Sequence, residues 1–199
     1  MTRITKLDPQ EMPDDLRTMV KAEERTPLEL GLTRFFAHQP EMAKGLMKFS
    51  ASLKTSRTLP ERLIELVRLR VAFFNQCRSC MAIRYPGPLA DGLDEAAVCS
   101  LERPAVADNL SAAEKAAIRF GELFATDHLA IDDAVYDDLR SHFTDAQIVE
   151  LGLNVSLFVG VGRFAATLHM VEELPDAFQH ASVGHGAVAP WGNDHVVMR

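Results

Sequence analysis

The sequence predicts an all-α protein. Three observations carry that prediction. Apolar residues recur at helical spacing in one segment after another, and prolines and Ser, Thr or Asp caps stand where helices begin or end. No run alternates with period two between hairpin turns. The chain has 199 residues, 47% hydrophobic and 25% charged. That is an ordinary globular mix, with enough apolar material for a core without metal or disulfide staples. The length fits one domain spanning 1–199, a bundle of about eight helices with extended arms at residues 1–13 and 176–199.

Taken in order, residues 1–13 contain Pro9 and Pro13 and read as an arm. Asp14 is placed to cap a helix running to about Arg25, and Pro27 permits the next start. Pro40 opens a helix to about Ser56, its apolar residues including Met42, Leu46, Phe49 and Leu53. Thr58 and Pro60 open the most regular helix, in which Leu63, Ile64, Val67, Val71 and Phe74 follow the spacing of one buried face. Asn75 and Gln76 break that pattern. The stretch Cys77–Tyr85 then reads as a second helix, ended by Pro86-Gly87-Pro88. Asp94 starts a short helix ended by Pro104, and Ser111 with Glu114 forms a capping box. Residues 131–142 form a helix with an acidic first turn. Thr144 or Asp145 caps a last helix, expected to bend or break at Gly160–Gly162 and to stop at Pro175. The tail from 176 has no apolar periodicity and is expected to lie loose or to strap over a neighbouring subunit.

The net charge is −7, with no Lys/Arg cluster to offset it, which argues against nucleic acid as a partner. No uninterrupted apolar run reaches the 18 or so residues of a membrane span, so no membrane association is expected. The first residues lack an apolar segment and a small-residue cleavage site, so the expected compartment is the cytoplasm.

The cysteines are Cys77, Cys80 and Cys99, an odd number that argues against a structural disulfide framework. A C-x-x-C on a helix places both sulfurs on one face, with Cα atoms about 5–6 Å apart, close enough to bridge. A helix N-terminus lowers a thiol pKa, and Arg78 and Arg84 add positive charge. Arg84, four residues after Cys80, is expected to stack one turn above it. On dipole and exposure alone Cys77 is favoured as the nucleophile. A structural zinc site and a pair of inert core cysteines stay open as alternatives, although Cys99 and the scattered histidines offer no zinc spacing. A thioredoxin fold is excluded by the helical surroundings.

Glu65 reads either as a general base or as an ion-pair partner of Arg68 or Arg62. Cys99 is expected in or near the core. His128, His142 and His169 read as structural residues at helix ends. His180, His185 and His195 have no ligand spacing, so no metal is expected, and Trp191 reads as an anchor on a neighbouring surface. Gly160-Val161-Gly162 is not a phosphate loop, because no strand precedes it.

The segment ERLIELVRLRVAFFNQCRSCMAIR resembles the core motif of the alkylhydroperoxidase D-like, or carboxymuconolactone decarboxylase-like, superfamily. The likeness spans roughly residues 40–172. Redox-active members carry a helical glutamate, then about a dozen residues, the C-x-x-C, three residues and a histidine. Glu65, Cys77 and Cys80 match the glutamate and the dithiol; the histidine position is Arg84, and Ser79 stands where some members have a second histidine. The resemblance implies an AhpD-like helical bundle assembled as a trimer or hexamer. It implies a thiol peroxidase that reduces hydroperoxides without metal, haem or other cofactor. In that cycle Cys80 attacks the peroxide and becomes a sulfenic acid, Cys77 closes the disulfide, and Glu65 acts through a proton relay. A thiol or dithiol reductant protein then reopens the disulfide. Arginine cannot shuttle a proton, so Arg84 is expected instead to stabilise the thiolate or hold an anionic substrate. The alternatives are a dithiol oxidoreductase or redox sensor without turnover, and a non-redox decarboxylase-like enzyme.

Overall fold

A computed structural model describes residues 2–180 and 187–198; His185 lies outside them. The expected all-α class is what the chain adopts, with more and shorter helices than the eight expected. α1 (Asp14–Met19) is followed by α2 (Pro27–Leu30) and α3 (Thr33–Phe36). Two expected helices are split here, by Lys21 at φ 51° and by Gly31 at φ 43°. α4 (Pro40–Thr55) and α5 (Glu61–Asn75) run as expected. α6 is only Arg78–Ala82, and α7 is Pro86–Ala90. α8 (Glu95–Ser100), α9 (Ala112–Thr126) and α10 (Asp133–Arg140) begin at Asp94, Ser111 and Asp132, whose side chains accept from backbone N–H groups of the first turn. α11 (Asp145–Leu168) and the short α12 (Asp176–Gln179) complete the helices.

The core forms where α5 lies between α9 and α11. Leu66, Val67 and Val71 of α5 meet Ala117 and Phe120 of α9 and Leu151 and Val155 of α11, all fully or almost fully buried. α11 is long and apolar enough to cross a membrane by composition alone, yet it packs in this core as a bundle helix. It does not break at its glycines. Gly162 faces α5, and a Cβ there would stand 2.7 Å from Asn75 Nδ2. Glycine therefore permits the close approach at which Asn75 Nδ2 donates to Phe158 O (2.9 Å) and Arg163 Nε donates to Asn75 Oδ1 (3.1 Å). α11 ends at His169, which takes φ 55°, and not at Pro175.

Both arms are bound to the bundle. Arg3 N donates to Leu168 O (3.1 Å), and Lys6 pairs with Glu172 and Glu173 at 3.1 and 2.9 Å. The C-terminal segment straps its own chain, where it was expected to lie loose or to strap over a neighbouring subunit. Its strand β2 (Val196–Val197) pairs in parallel with β1 (Ile83–Arg84), which no sequence pattern had indicated. Trp191 rests on Phe73 of the same chain, ring centroids 4.9 Å apart.

Candidate active site

The site grows from one stripe of α5. Glu65, Arg68, Ala72 and Asn75 are spaced three, four and three residues apart, so they share a face. Gln76 takes φ 49° and closes α5. Its side-chain amide then donates to Val188 O (3.1 Å) and accepts from Val188 N (3.0 Å), so the C-terminal strap holds this turn. Cys77 follows as the N-cap of α6, and Arg78 donates to Gln179 O at 3.0 Å.

Cys77 and Cys80 are joined as a disulfide, with Cα atoms 5.2 Å apart. The two sulfurs have different environments. Cys77 is 0% exposed, with Ser79 Oγ 3.7 Å from its sulfur. Cys80 is half-buried and lines a cavity of about 360 Å³. This reverses the expected exposure: the first cysteine caps a helix of only five residues and is enclosed at the α5–α6 junction, while the second opens on the cavity. The cavity walls are largely apolar, with Leu46, Met47, Leu157, Phe158 and Met170 among them. Its polar edge carries Arg68, Asn75, Ser79 and Tyr85.

Glu65 is 3% exposed and gripped by Arg68, whose Nε and Nη2 donate to its two carboxylate oxygens at 2.7 and 2.6 Å. This is the ion-pair geometry anticipated for the pair, set in the interior. Arg68 Nη1 also donates to Cys80 O (2.6 Å), and Nη2 to Ile83 O (2.9 Å). Four of its five N–H groups are thus used; one on Nη1 has no acceptor among the described residues. Burial disfavours the charge of Arg68, but attraction and hydrogen bonds from Glu65 outweigh it and raise the guanidinium pKa. The cation keeps its charge beside the C-x-x-C.

Arg84 does not occupy its expected place. α6 stops at Ala82, so there is no helical turn on which Arg84 can stack above Cys80. The chain continues extended, and successive side chains of an extended segment point to opposite sides. Ile83 and Tyr85 line the cavity, whereas Arg84, between them, does not. Arg84 is 0% exposed and pairs with Glu95 through Nε (2.9 Å). It also donates to Met81 O (2.8 Å) and Pro190 O (2.8 Å), tying β1 to the strap. It is a structural clamp, and Arg68 is the cation at the dithiol.

Tyr85 packs its ring 5.2 Å from the Arg68 guanidinium carbon and 5.7 Å from Lys54 Nζ. It also lines a second cavity of about 440 Å³, which Glu65 and Arg68 line as well. Burial, reinforced by Glu65 and opposed by Arg68, pushes its phenol pKa up, so the hydroxyl stays protonated.

The remaining residues fall elsewhere. Cys99 is free and exposed, not in the core as expected. His142 stands 4.0 Å from Asp138, and His195 lies 3.7 Å from Glu95. Among the described residues no group of three or more His, Cys, Asp or Glu is arranged to hold a metal.

Residues 40–123 match the Carboxymuconolactone decarboxylase family. The fold matches an AhpD-core, uncharacterized peroxidase-related protein from Ralstonia eutropha JMP134, with TM-score 0.71 and 19% identity, covering 89% of this chain and 94% of that one. The fold is that of the AhpD-like helical proteins, and residues 40–123 are similar to the Carboxymuconolactone decarboxylase family. A second solved AhpD-like structure, from a protein of unknown function of Agrobacterium tumefaciens, gives TM-score 0.59 at 22% identity over 71% of this chain and 95% of that one. Two uncharacterized Mycobacterium tuberculosis proteins, Rv2313c and MT2376, are 34% identical over 109 residues. That match takes in 54% of this chain but only 38% of theirs. The residues that sequence reasoning passed over are Arg68, bonded to the Cys80 carbonyl, and Tyr85 as a cavity residue. The spacing of Glu65, Arg68, Ala72 and Asn75 signalled the first. The second depends on where α6 stops, which no motif announces.

Proposed function

We propose that the protein is a thiol-dependent peroxidase that reduces hydroperoxides through the Cys77–Cys80 dithiol. The carrying observation is the asymmetry of the disulfide, with Cys77 sealed and Cys80 open to an apolar cavity beside a permanently charged arginine. A nearby guanidinium favours the thiolate, which is the nucleophile. Cys80 attacks the peroxide and becomes a sulfenic acid; Cys77, already within bonding reach, displaces its hydroxyl as water. A thiol or dithiol reductant protein then attacks the accessible Cys80 sulfur and releases Cys77. Glu65 fixes Arg68 in place, so we assign it as a positioning residue. No cofactor enters this cycle, and a non-redox decarboxylase reaction leaves the dithiol without a role.

One observation favours a second reading, a dithiol oxidoreductase without peroxide turnover: both carboxylate oxygens of Glu65 accept from Arg68, so the carboxylate is committed to an ion pair. The test is hydroperoxide consumption with a dithiol reductant, comparing wild type with Cys80→Ser and Cys77→Ser. Turnover in wild type, lost in both variants, supports the peroxidase. A disulfide that cycles without consuming peroxide supports the second reading.

The trimer or hexamer belongs to the same proposal. Val149, Leu153 and Phe164 form an exposed apolar row on α11, 61%, 44% and 47% exposed. Light scattering on Leu153→Glu is expected to show a smaller species than wild type; an unchanged mass removes this face as the contact.

A further inference from the structure

We propose that Tyr85 is the proton donor to the leaving oxygen of the hydroperoxide, a deepening that rests on the peroxidase reading. Geometry singles it out. The chain leaves the helix at Ala82 and runs extended, so the residue that returns to the cavity is Tyr85 and not Arg84. Its hydroxyl forms no hydrogen bond with any described residue, and its ring packs 5.2 Å from the Arg68 guanidinium carbon and 5.7 Å from Lys54 Nζ. Arg68 in turn holds the carbonyl of Cys80 at 2.6 Å. Cys80, Arg68 and Tyr85 therefore border one cavity.

The charged groups on the second cavity with the phenol are Lys54, Arg57, Glu61, Glu65 and Arg68, of which Arg68 and Lys54 lie over its ring. Neither cation serves as well as a proton source. Arg68 cannot release a proton in a protein. Lys54 has its side chain on the second cavity, away from Cys80. A protonated phenol, by contrast, can give its proton to an alkoxide, the stronger base.

The Cys80 thiolate attacks the terminal oxygen of R–O–O–H, forming an S–O bond while the O–O bond breaks and its electron pair goes to the inner oxygen. The sulfur loses two electrons and the peroxide gains two. Tyr85 transfers its phenolic proton to that inner oxygen, releasing R–OH. The phenolate takes a proton from solvent water, and the hydroxide left is neutralised by the proton that the Cys80 thiol released on ionising, so one thiol and one hydroperoxide give one sulfenic acid and one alcohol.

Tyr85→Phe keeps the ring and its contacts with both cations, and removes only the hydroxyl group. The experiment measures the rate at which reduced protein is oxidised by a series of hydroperoxides whose alcohols differ in acidity, together with the rate of Cys80 alkylation by iodoacetamide. Alkylation needs the thiolate but expels iodide, which needs no proton. The expected result is an oxidation rate lower by about 100-fold for the least acidic alcohol. That loss should shrink as the alcohol becomes more acidic, with alkylation unchanged. Equal oxidation rates and equal dependence on the leaving alcohol in both proteins would falsify the role of Tyr85 and leave the peroxidase reading standing. A parallel fall in alkylation and oxidation overturns it too, since the phenol would then act on the thiolate. Wild-type protein that is alkylated normally but inert to every hydroperoxide sinks the peroxidase reading, and the donor role with it.

Discussion

Arg84 is a fully buried cation whose partners are one carboxylate and backbone carbonyls from two segments that meet only in the folded chain. Removing it strands the Met81 and Pro190 carbonyls in the interior. Arg84→Ala is expected to destabilise the protein by about 3 kcal/mol, read as a lower urea midpoint. Arg84→His tests the same point from the chemical side. It places there the histidine that the resembled motif carries, yet peroxide reactivity should not rise, because the side chain at 84 faces Glu95 and the strap. An increase in the oxidation rate would show that the side chain can reach the dithiol after all.

At the level of the elements, two junctions hold the dithiol. One is the contact of α5 with α11. Gly162→Ala drives a methyl to within 2.7 Å of Asn75 Nδ2, at the last residue of α5 before Gln76 and Cys77. Overpacking of this kind costs about 1–3 kcal/mol, measurable by thermal unfolding. The other is the strap. Gln76 and Arg84 both bond to residues 188–190, and Met198 lines the cavity itself. A chain ending at His180 loses these bonds. In the reduced truncated protein, Cys77 is expected to be alkylated several-fold faster than in the full chain, as read by mass spectrometry of the labelled peptide. Equal labelling would mean that the helices alone bury Cys77.

For the molecule as a whole, the N-terminal arm is tied to the segment after α11 through Lys6. Burial works against the charge of Glu172, but its own backbone amide and Lys6 Nζ at 3.1 Å hold its carboxyl down at about 2, against an ordinary 4.5. A depressed folded pKa contributes stability that is fully present above the unfolded value and disappears as pH falls through the folded one. The contribution should therefore vanish between about pH 4.5 and 2. Glu172 is exposed enough for solvent to screen it, so the effect is a change of slope. Unfolding midpoints measured across that window should fall less steeply for Glu172→Gln than for wild type, and parallel curves would show that the clasp adds nothing.

Helical periodicity, caps and the Glu65–Cys77–Cys80 spacing are local properties, written in neighbouring residues. They sufficed for the all-α class, for α4, α5 and α9, and for the dithiol as the centre of interest. The capping box at Ser111 and the pattern of α5 needed no tertiary partner to be recognised, since a helix face and its cap are defined within a few turns. What the order of residues left open was settled by packing. α6 ends at Ala82, where the chain turns extended and pairs with β2, more than a hundred residues away in sequence. That one event turns Arg84 away from the dithiol and brings Tyr85 to the cavity that Cys80 lines. In the same way, Gly162 of α11 reads as part of a break in the sequence, yet against α5 its missing Cβ makes room for Asn75. A sequence lists the side chains along a strand or helix, but which of them faces a cavity depends on what the other side of the chain is packed against, and only the assembled structure holds both.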